Sequence, residues 1–389
     1  MGLNITIYGI DIQQGLIANR ILGADQYCDA LSKMGHNPKV RLLPFGEFKR
    51  DEETKAHFLS VLERDIEEDK PDAWLFFVMF PYREIADFGI PTYIFPEHIP
   101  DPKLAQWPIN KKNVFMLAIA PSFHQFFHDI GFKKSQIKDF SYASHHESID
   151  PIDDGFDYDV VFLGTDGAAN MRLASFGDTT MQNLIDIYEI TKEDTSRHSI
   201  STTKKAMQRV LGKKNMKKIP KEMHNHLAFC IQGYSHLLRV RETVLIVHEH
   251  CRKMKYKFGL AGSGWNKMDQ YKDVVEIDPA LNASIYNKSK VTFQRNCHTN
   301  SLSRFYKSIM SGCLPIIKCI ASDADPGGIL TMYPRDMLVM YKDNYELLDR
   351  IDFNVKYISQ RNDRLRRLQK HTIENNTYVN RFENILGGK

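Results

Sequence analysis

The stretch TNSLSRFYKSIMSGCLPII, Thr299–Ile317, decides the fold prediction because a loop, a helix, a turn and a buried strand follow one another in it. The apolar residues of Leu302–Met310 fall roughly on one helical face. Gly312 ends the predicted helix, and Cys313–Ile317 is an apolar run typical of a buried parallel strand. Helices that alternate with such strands indicate a parallel α/β sheet.

Polar side chains cluster where this predicted helix begins. They are Asn300, Ser301, Ser303 and Arg304. Unpaired backbone N–H groups and the helix dipole make such a place an anion site, and hydroxyls with a guanidinium would add charge-assisted bonds to a diphosphate. Helix capping alone also explains Asn and Ser ahead of a helix, so both interpretations stay open here.

The composition predicts a folded protein of two domains. The chain has 389 residues, of which 42% are hydrophobic and 26% charged, and a net charge of +4 is no nucleic-acid signature. The longest apolar run, Ala73–Phe80, is too short to span a membrane, and the first residues do not resemble a signal peptide. Six cysteines without paired spacing indicate reduced thiols and a cytoplasmic setting.

The order of apolar runs predicts an α/β fold with two Rossmann-like domains. In the first third, helical patterns separate the apolar runs Asn4–Ile10, Val40–Leu43, Ala73–Phe80, Thr92–Phe95 and Phe115–Ala120. A polar, acidic linker follows, and DVVFLG then restarts the pattern. We therefore expect a first domain at 1–150 and a second at 151–355 with a basic helical insertion near 186–253. The pattern of the tail, 356–389, predicts helices, and these could cross back to the first domain.

The chain resembles the GT-B glycosyltransferases, especially their CgeB-like, exostosin-like and group 1 types. RFYKSIMSGCLPII is similar to the segment in which these enzymes carry a Glu-Ala-Leu helix ending in Gly. Other landmarks follow in the same order over nearly the whole chain, among them ADQYCDALSKMGHNPKV, VFMLAIAPSFHQFFHDIGF, DYDVVFLGT, FGLAGSGW and IYNKSKVTFQRN. The resemblance implies the GT-B architecture, with the acceptor toward the first domain and the nucleotide sugar in the second.

The resemblance implies transfer of a sugar from a nucleotide-sugar donor to a hydroxyl of a glycan, a lipid-linked glycan or a modified nucleic acid. It also implies that neither a cofactor nor a metal takes part. The residues it assigns to the donor nucleotide and its phosphates are Gly164, Thr165, Arg172, Ser263, Lys267, Asn300, Ser301, Ser303, Arg304 and Lys307. For Arg172, Lys267 and Lys307, an ordinary solvated surface position is the competing interpretation.

The sequence departs from this family at two carboxylates. Lys307 replaces the glutamate of the Glu-Ala-Leu segment, and Thr299 stands where some members carry a partner glutamate. The paired carboxylates of many retaining members are thus absent, which favours inverting chemistry slightly and leaves the sugar, the base and the acceptor undetermined.

The first domain should supply the base that takes the acceptor proton. Glu97 is the first candidate, with Asp101 and His98 beside it, because the loop IFPEHIPDP follows a predicted buried strand. A Pro-rich loop with solvated charges is the alternative interpretation. On the acceptor side the first turn offers the residues Asp11, Gln13 and Gly15, in a loop that is not a dinucleotide-binding fingerprint.

Two further patterns suggest ligands. The groups HNHLAFC and HEHC have zinc-ligand residue types, but their spacing fits no zinc finger. Between Lys192 and Lys221 lie ten Lys or Arg residues and two acidic ones, so anionic lipid or nucleic acid is a candidate partner, and a solvated loop is the alternative. A contact with lipid would place the protein at the periphery of a membrane.

Two rival functions fit the same fold. A two-domain protein could clamp a ligand without catalysis, and a GT-B-like epimerase could act on the nucleotide sugar itself. The first has no need of Glu97 beside a phosphate site, and the second needs more catalytic carboxylates than the sequence offers.

Overall fold

The computed structural model divides the chain into two compact units. It describes residues 2–10, 24–43, 52–77, 82–96, 111–144, 152, 155–166, 181–191, 199–218, 223–271, 282–296 and 299–387. The first unit is Met1–His145 with Asn376–Lys389, and the second is His146–Asn375. The segment 356–389, expected as one tail, is thus divided between the units.

The first unit is built on a six-stranded parallel sheet. Its strands are β1 Asn4–Ile10, β2 Asn37–Leu43, β3 Ala73–Phe77, β4 Thr92–Phe95, β5 Val114–Ala118 and β6 Ile137–Asp139. They lie in the order β2-β1-β3-β4-β5-β6. All five residues of β3 are buried, because helices of an α/β unit cover both faces of a parallel sheet.

Among the described residues, three α-helices lie between these strands. They are α1 Ala24–Lys33, α2 Glu52–Asp69 and α3 Pro121–Asp129, with short 3-10 helices at Arg83–Phe88 and Lys134–Gln136. α3 begins at Pro121. Pro121 takes its first turn and Ala120 the cap position, as suits the fixed φ of proline.

The second unit contains a five-stranded parallel sheet. Its strands are β7 Tyr158–Leu163, β8 Phe258–Ala261, β9 Ser289–Gln294, β10 Leu314–Lys318 and β11 Val339–Tyr341. They lie in the order β11-β10-β9-β7-β8, so the chain leaves β7 toward one edge and returns to build the other. The predicted fold class, α/β with two Rossmann-like sheets, is confirmed.

Helices of the second unit pack on both faces of its sheet. They are α4 Met181–Thr191, α5 Ser199–Met216, α6 Met223–Met254, α7 Asn282–Asn287, α8 Ser303–Met310, α9 Ile329–Met332, α10 Asn344–Lys356 and α11 Ile358–Asn375. α4 and α5 pack on α6. α6 and α10 pack on each other, whereas α7 and α11 pack on α8. Right-handed crossovers put α6 and α8 on opposite faces, because the chain changes direction after β8. The predicted helical insertion corresponds to α4, α5 and α6.

The last helix, α12 Tyr378–Leu386, packs on α1 within the first unit. Thr377 caps it by accepting a hydrogen bond from the backbone N–H of Asn380. No helix in the described part of the chain combines the length and the apolar character that crossing a membrane requires.

Arg361 of α11 fixes α8 against the sheet. Its guanidinium is fully buried and donates hydrogen bonds to the carbonyl oxygens of Lys290, Ser289 and Gly312. Gln369 of α11 adds a bond of 2.9 Å from its Nε2 atom to the carbonyl oxygen of Ile309 near the end of α8.

Replacing Arg361 by Met should destabilise the protein, because it leaves buried carbonyl groups without donors. We expect a loss of about 3 kcal/mol in the free energy of unfolding, measured by urea denaturation of the second unit's transition. Arg366→Met, on the exposed side of the same helix, is the matched control and should cost less than about 0.5 kcal/mol. Equal effects of the two variants would contradict this role of Arg361.

Candidate functional site

The loops after β7 and β8 touch each other through their backbones. Gly262 has a φ of +134°, and a Cβ atom there would lie 2.2 Å from the carbonyl oxygen of Gly164. The indole Nε1 of Trp265 donates to that same oxygen at 2.6 Å. Only glycine permits this approach, so two strand ends are held together at the carboxyl edge of the sheet.

The hydroxyls of the same two loops lie next to each other. The Ser263 Oγ atom donates to the Thr165 Oγ1 atom at 3.3 Å, and the backbone N–H of Asp166 donates to the Ser263 carbonyl oxygen at 2.8 Å. Thr165 is exposed and Ser263 half-buried. Both hydroxyls are therefore available to a ligand at this edge.

Arg304, in the first turn of α8, reaches the end of β7. Its Nη1 atom donates to the carbonyl oxygen of Leu163 at 3.3 Å and would lie 2.7 Å from a Cβ atom placed on Gly164. Leu163 O is its one hydrogen-bond acceptor among the described residues. The half-buried guanidinium thus keeps N–H groups for a ligand beside the two glycine loops.

No side chain of the described residues caps α8. Leu302 takes the cap position, so the capping explanation of Asn300 and Ser301 is wrong. The first N–H groups of the helix therefore have no side-chain acceptor, and the positive end of the helix dipole is not offset there. This leaves α8 with the property that favours an anion near its start.

The turn before α8 is held rigid from within. Asn300 is 0% exposed, and its Nδ2 atom donates to the carbonyl oxygen of Lys318 at 2.8 Å and to Asp323 at 2.9 Å. Its Oδ1 atom accepts from Asn296. The Ser301 Oγ atom bonds the Thr299 Oγ1 atom at 2.7 Å. Asn300 and Ser301, which the sequence assigned to the donor, thus form hydrogen bonds within the protein that hold the start of α8 in position.

Asp323 is buried behind this turn. Burial raises the pKa of its carboxyl to about 6, although hydrogen bonds from the Ile320 N–H and the Asn300 amide oppose the shift. Burying this carboxyl group costs free energy because its charged form is desolvated. The fold accepts that cost at the residue that bonds Asn300, so we regard this contact as an important constraint on the turn.

Gln294, the last residue of β9, was not predicted as a site residue. It is 2% exposed, and both polar atoms of its amide are without a partner among the described residues. It alternates with Thr292, whose side chain bonds Tyr286 of α7, so it projects toward the α7 and α8 face. In the sequence, only its position as a polar residue at the end of an apolar strand could have indicated Gln294 as a site residue.

Arg241 of α6 holds the loop after β7. It donates three hydrogen bonds to the carboxylate of Asp166, between 2.7 and 3.1 Å long. Asp166 is 1% exposed, and the pair spans 75 residues of sequence, so no local pattern could have indicated it. The bidentate pairing fixes the loop that carries Gly164 and Thr165.

The remaining predicted residues divide into two groups. Lys267, Ser303 and Lys307 are exposed, Lys267 at the end of a 3-10 helix and the other two on α8. The following lie outside the described residues: Asp11, Gln13, Gly15, Glu97, His98, Asp101 and Arg172. Their assignments stay predictions.

The described residues contain no group of three His, Cys, Asp or Glu side chains suited to a metal ion. Within the HEHC segment, the His248 Nδ1 atom pairs with the Tyr271 hydroxyl and the His250 Nε2 atom with Asp352. Burial raises the pKa of the Cys251 thiol to about 12.

Comparison with solved structures finds the same fold. A crystal structure of a glycosyltransferase from Rickettsia africae ESF-5 matches with a TM-score of 0.55 at 10% identity, covering 100% of each chain. Anabaena HepE in complex with UDP and glucose has a TM-score of 0.48 at 10% identity, covering 99% of this chain and 98% of that one. A UDP-forming trehalose-phosphate synthase from Burkholderia xenovorans gives 0.48 at 11% identity, again covering 99% and 98%. No family model matches the chain, and no curated protein does. The likeness to the Rickettsia protein establishes a shared two-sheet fold.

Stability should fall as the pH rises through the titration of Asp323. Because its pKa is raised from 3.8 to about 6, the folded chain keeps a proton between these values that the unfolded chain has lost. The cost is absent below pH 4, grows up to pH 6 and is complete at pH 7, at about 3 kcal/mol. Asp323→Asn removes this component, so the wild type should lose stability relative to the variant from pH 4 to pH 7 in urea denaturation. The exposed Asp349→Asn is the control, and a pH-independent difference between wild type and Asp323→Asn would contradict the assignment.

Proposed function

We propose that the protein is a glycosyltransferase that moves a sugar from a nucleotide-sugar donor to a hydroxyl acceptor. The observation that carries the proposal is the meeting of three features at one sheet edge. These are the start of α8 without a side-chain cap, the Arg304 guanidinium, and the glycine loops that follow β7 and β8. In open parallel sheets ligands bind at this edge, and helix starts there bind phosphate.

In this proposal the site stabilises the departing nucleotide. Cleavage of the bond to the sugar leaves negative charge on the terminal phosphate oxygen. Arg304 and the N–H groups at the start of α8 lie where they could bind that charge without rearrangement. The absence of a Cβ atom at Gly164 leaves room for the Arg304 guanidinium, whose Nη1 atom would otherwise lie 2.7 Å from it. Thr165 and Ser263 would add hydroxyl contacts to the donor.

The acceptor half of the reaction rests on the first unit. We assign the base to Glu97, with Asp101 and His98 as alternatives, because the loop that carries them follows the buried strand β4 in the sequence. The donor side carries no carboxylate at 299 or 307, which favours inversion slightly. Direct displacement with inversion then follows: the base takes the acceptor proton while the acceptor oxygen attacks the anomeric carbon and the nucleotide departs.

A nucleotide panel tests the donor site. One of UDP, GDP, CMP and ADP should raise the melting temperature of the wild type by mass action. Arg304→Ala should weaken that nucleotide about 10- to 100-fold, since a charge-assisted bond is lost. Lys370→Met, which removes an exposed cation of α11, is the control and should bind as the wild type does. No shift with any nucleotide would refute the transferase proposal.

Turnover tests the base separately. Glu97→Gln should retain the nucleotide-induced shift, while hydrolysis or transfer of the matching nucleotide sugar falls about 10²- to 10⁴-fold. Unchanged turnover in this variant would move the role to Asp101 or His98.

We also propose that α5 contacts an anionic membrane, which would place catalysis at the cytoplasmic surface of a bilayer. What we call the α5 basic face comprises the exposed cations Lys205, Arg209, Lys213 and Lys214 of α5, which is kinked at Gly212, together with Lys217 and Lys218 in the turn directly after it. No carboxylate of the described residues pairs with them, while Ala206 and Met207 are buried. The described segment 199–218 has no aromatic residue to stack on bases, which favours lipid headgroups over nucleic acid.

Vesicle sedimentation tests this surface. The protein should bind phosphatidylglycerol vesicles but not phosphatidylcholine, and salt should release it. Neutralising part of the α5 basic face should weaken binding by about 1 kcal/mol per cation. The variant combines Lys213→Gln, Lys214→Gln, Lys217→Gln and Lys218→Gln. The control combines Lys253→Gln, Lys356→Gln, Arg366→Gln and Lys370→Gln. Equal binding of variant and control, or binding of duplex DNA in preference to vesicles, would contradict the proposal.

A further inference from the structure

A second set of cations lies at the carboxyl edge of the same sheet. Lys318, the last residue of β10, is 5% exposed. Its ammonium donates to the carbonyl oxygens of Lys342 at 2.5 Å and Cys319 at 3.4 Å and lies 5.9 Å from the centroid of the Tyr341 ring. A lysine this deeply buried is uncommon without a carboxylate partner.

Two guanidiniums share this neighbourhood. Arg295 follows β9, and its Nη1 atom donates to the Thr243 Oγ1 atom of α6 at 2.9 Å. That hydroxyl donates to the carbonyl oxygen of Arg239, one turn earlier in α6. Burial lowers the pKa of Lys318, and the positive charges of Arg295 and Arg239 lower it further. We call Arg295 and Lys318 the Lys318 cluster.

The Lys318 cluster is separate from the α8 site. Gln294 of β9 pairs in register with Ile317 of β10, and Gln294 projects toward α8. The next residues along the two strands are Arg295 and Lys318. Their side chains project to the other face, where Arg295 contacts α6. The two groups of cations therefore lie on opposite faces of the sheet.

Neither Arg295 nor Lys318 forms an ion pair with a described carboxylate. Asp343 and Asp323 are both close enough to act on Lys318 electrostatically. The Asp343 carboxylate, however, caps α10 by accepting from the N–H of Glu346, and the Asp323 carboxylate accepts from the Ile320 N–H and the Asn300 amide. Keeping like charges together away from water is costly unless an anion offsets them.

We propose that the Lys318 cluster is a second anion site, which binds a phosphate or carboxylate group borne by the sugar or the acceptor, distinct from the donor diphosphate. Oxyanions of this size match guanidinium and ammonium donors that approach from several sides. Which substrate carries the anion rests on the proposed transferase function, whereas anion binding itself does not.

Inorganic phosphate is the probe, and an Arg304→Ala background weakens its binding at α8. At constant ionic strength, phosphate should still raise the melting temperature of Arg304→Ala. Adding Arg295→Gln, or in a second double variant Lys318→Met, should weaken that phosphate binding at least about tenfold. Adding Lys370→Met instead should leave it unchanged. A phosphate effect that is absent, or that survives both cluster substitutions, overturns the proposal.

A donor pair then locates the anion. UDP-glucuronic acid and UDP-glucose differ by one carboxylate, so tighter binding of the uronate, lost in Arg295→Gln, assigns the anion to the donor sugar. Equal binding of the pair, with the phosphate effect intact, assigns it to the acceptor. If no nucleotide binds while phosphate still depends on Arg295, the transferase function fails and the second anion site stands.

Discussion

The contact of the Arg304 guanidinium with the carbonyl end of β7 is the constraint on which the site depends. It joins the first turn of α8 to the loop of Gly164, and Gly262 joins that loop to the end of β8. Three elements separated widely in sequence thus present N–H groups, hydroxyls and a positive charge at one edge. Arg361 and Asn300 keep α8 in place from behind, so that the donors are ordered before any ligand arrives.

Several buried polar groups at this edge are costly to the fold. The Gln294 amide has no described partner, the Asp323 carboxyl has a raised pKa, and Lys318 is buried near two guanidiniums. By contrast, the interior of the sheet is apolar, as in Ile316 and Phe293. Polar groups that weaken a fold concentrate where a protein binds or reacts, which is why the carboxyl edge carries the functional proposals.

The sequence predicted the sheets well because buried parallel strands are continuous apolar runs, as Ala73–Phe77 and Leu314–Lys318 illustrate. The neighbourhood of Gly164, Ser263 and Arg304 could also be anticipated, since strand ends in a parallel sheet share one edge. The hydrogen bonds that Asn300 forms within the protein could not be anticipated, because its partners Lys318 and Asp323 lie 18 and 23 residues away in the sequence. The Asp166–Arg241 ion pair depends on where α6 packs relative to the loop after β7, and no local sequence pattern specifies that packing.

A crystal structure with the nucleoside diphosphate that stabilises the protein would test the central claim most directly. We expect an oxygen of the terminal phosphate to accept hydrogen bonds from the Arg304 guanidinium and from an N–H group in the first turn of α8, with the diphosphate beside Gly164. A diphosphate bound away from α8, with Arg304 touching only Leu163, would contradict it.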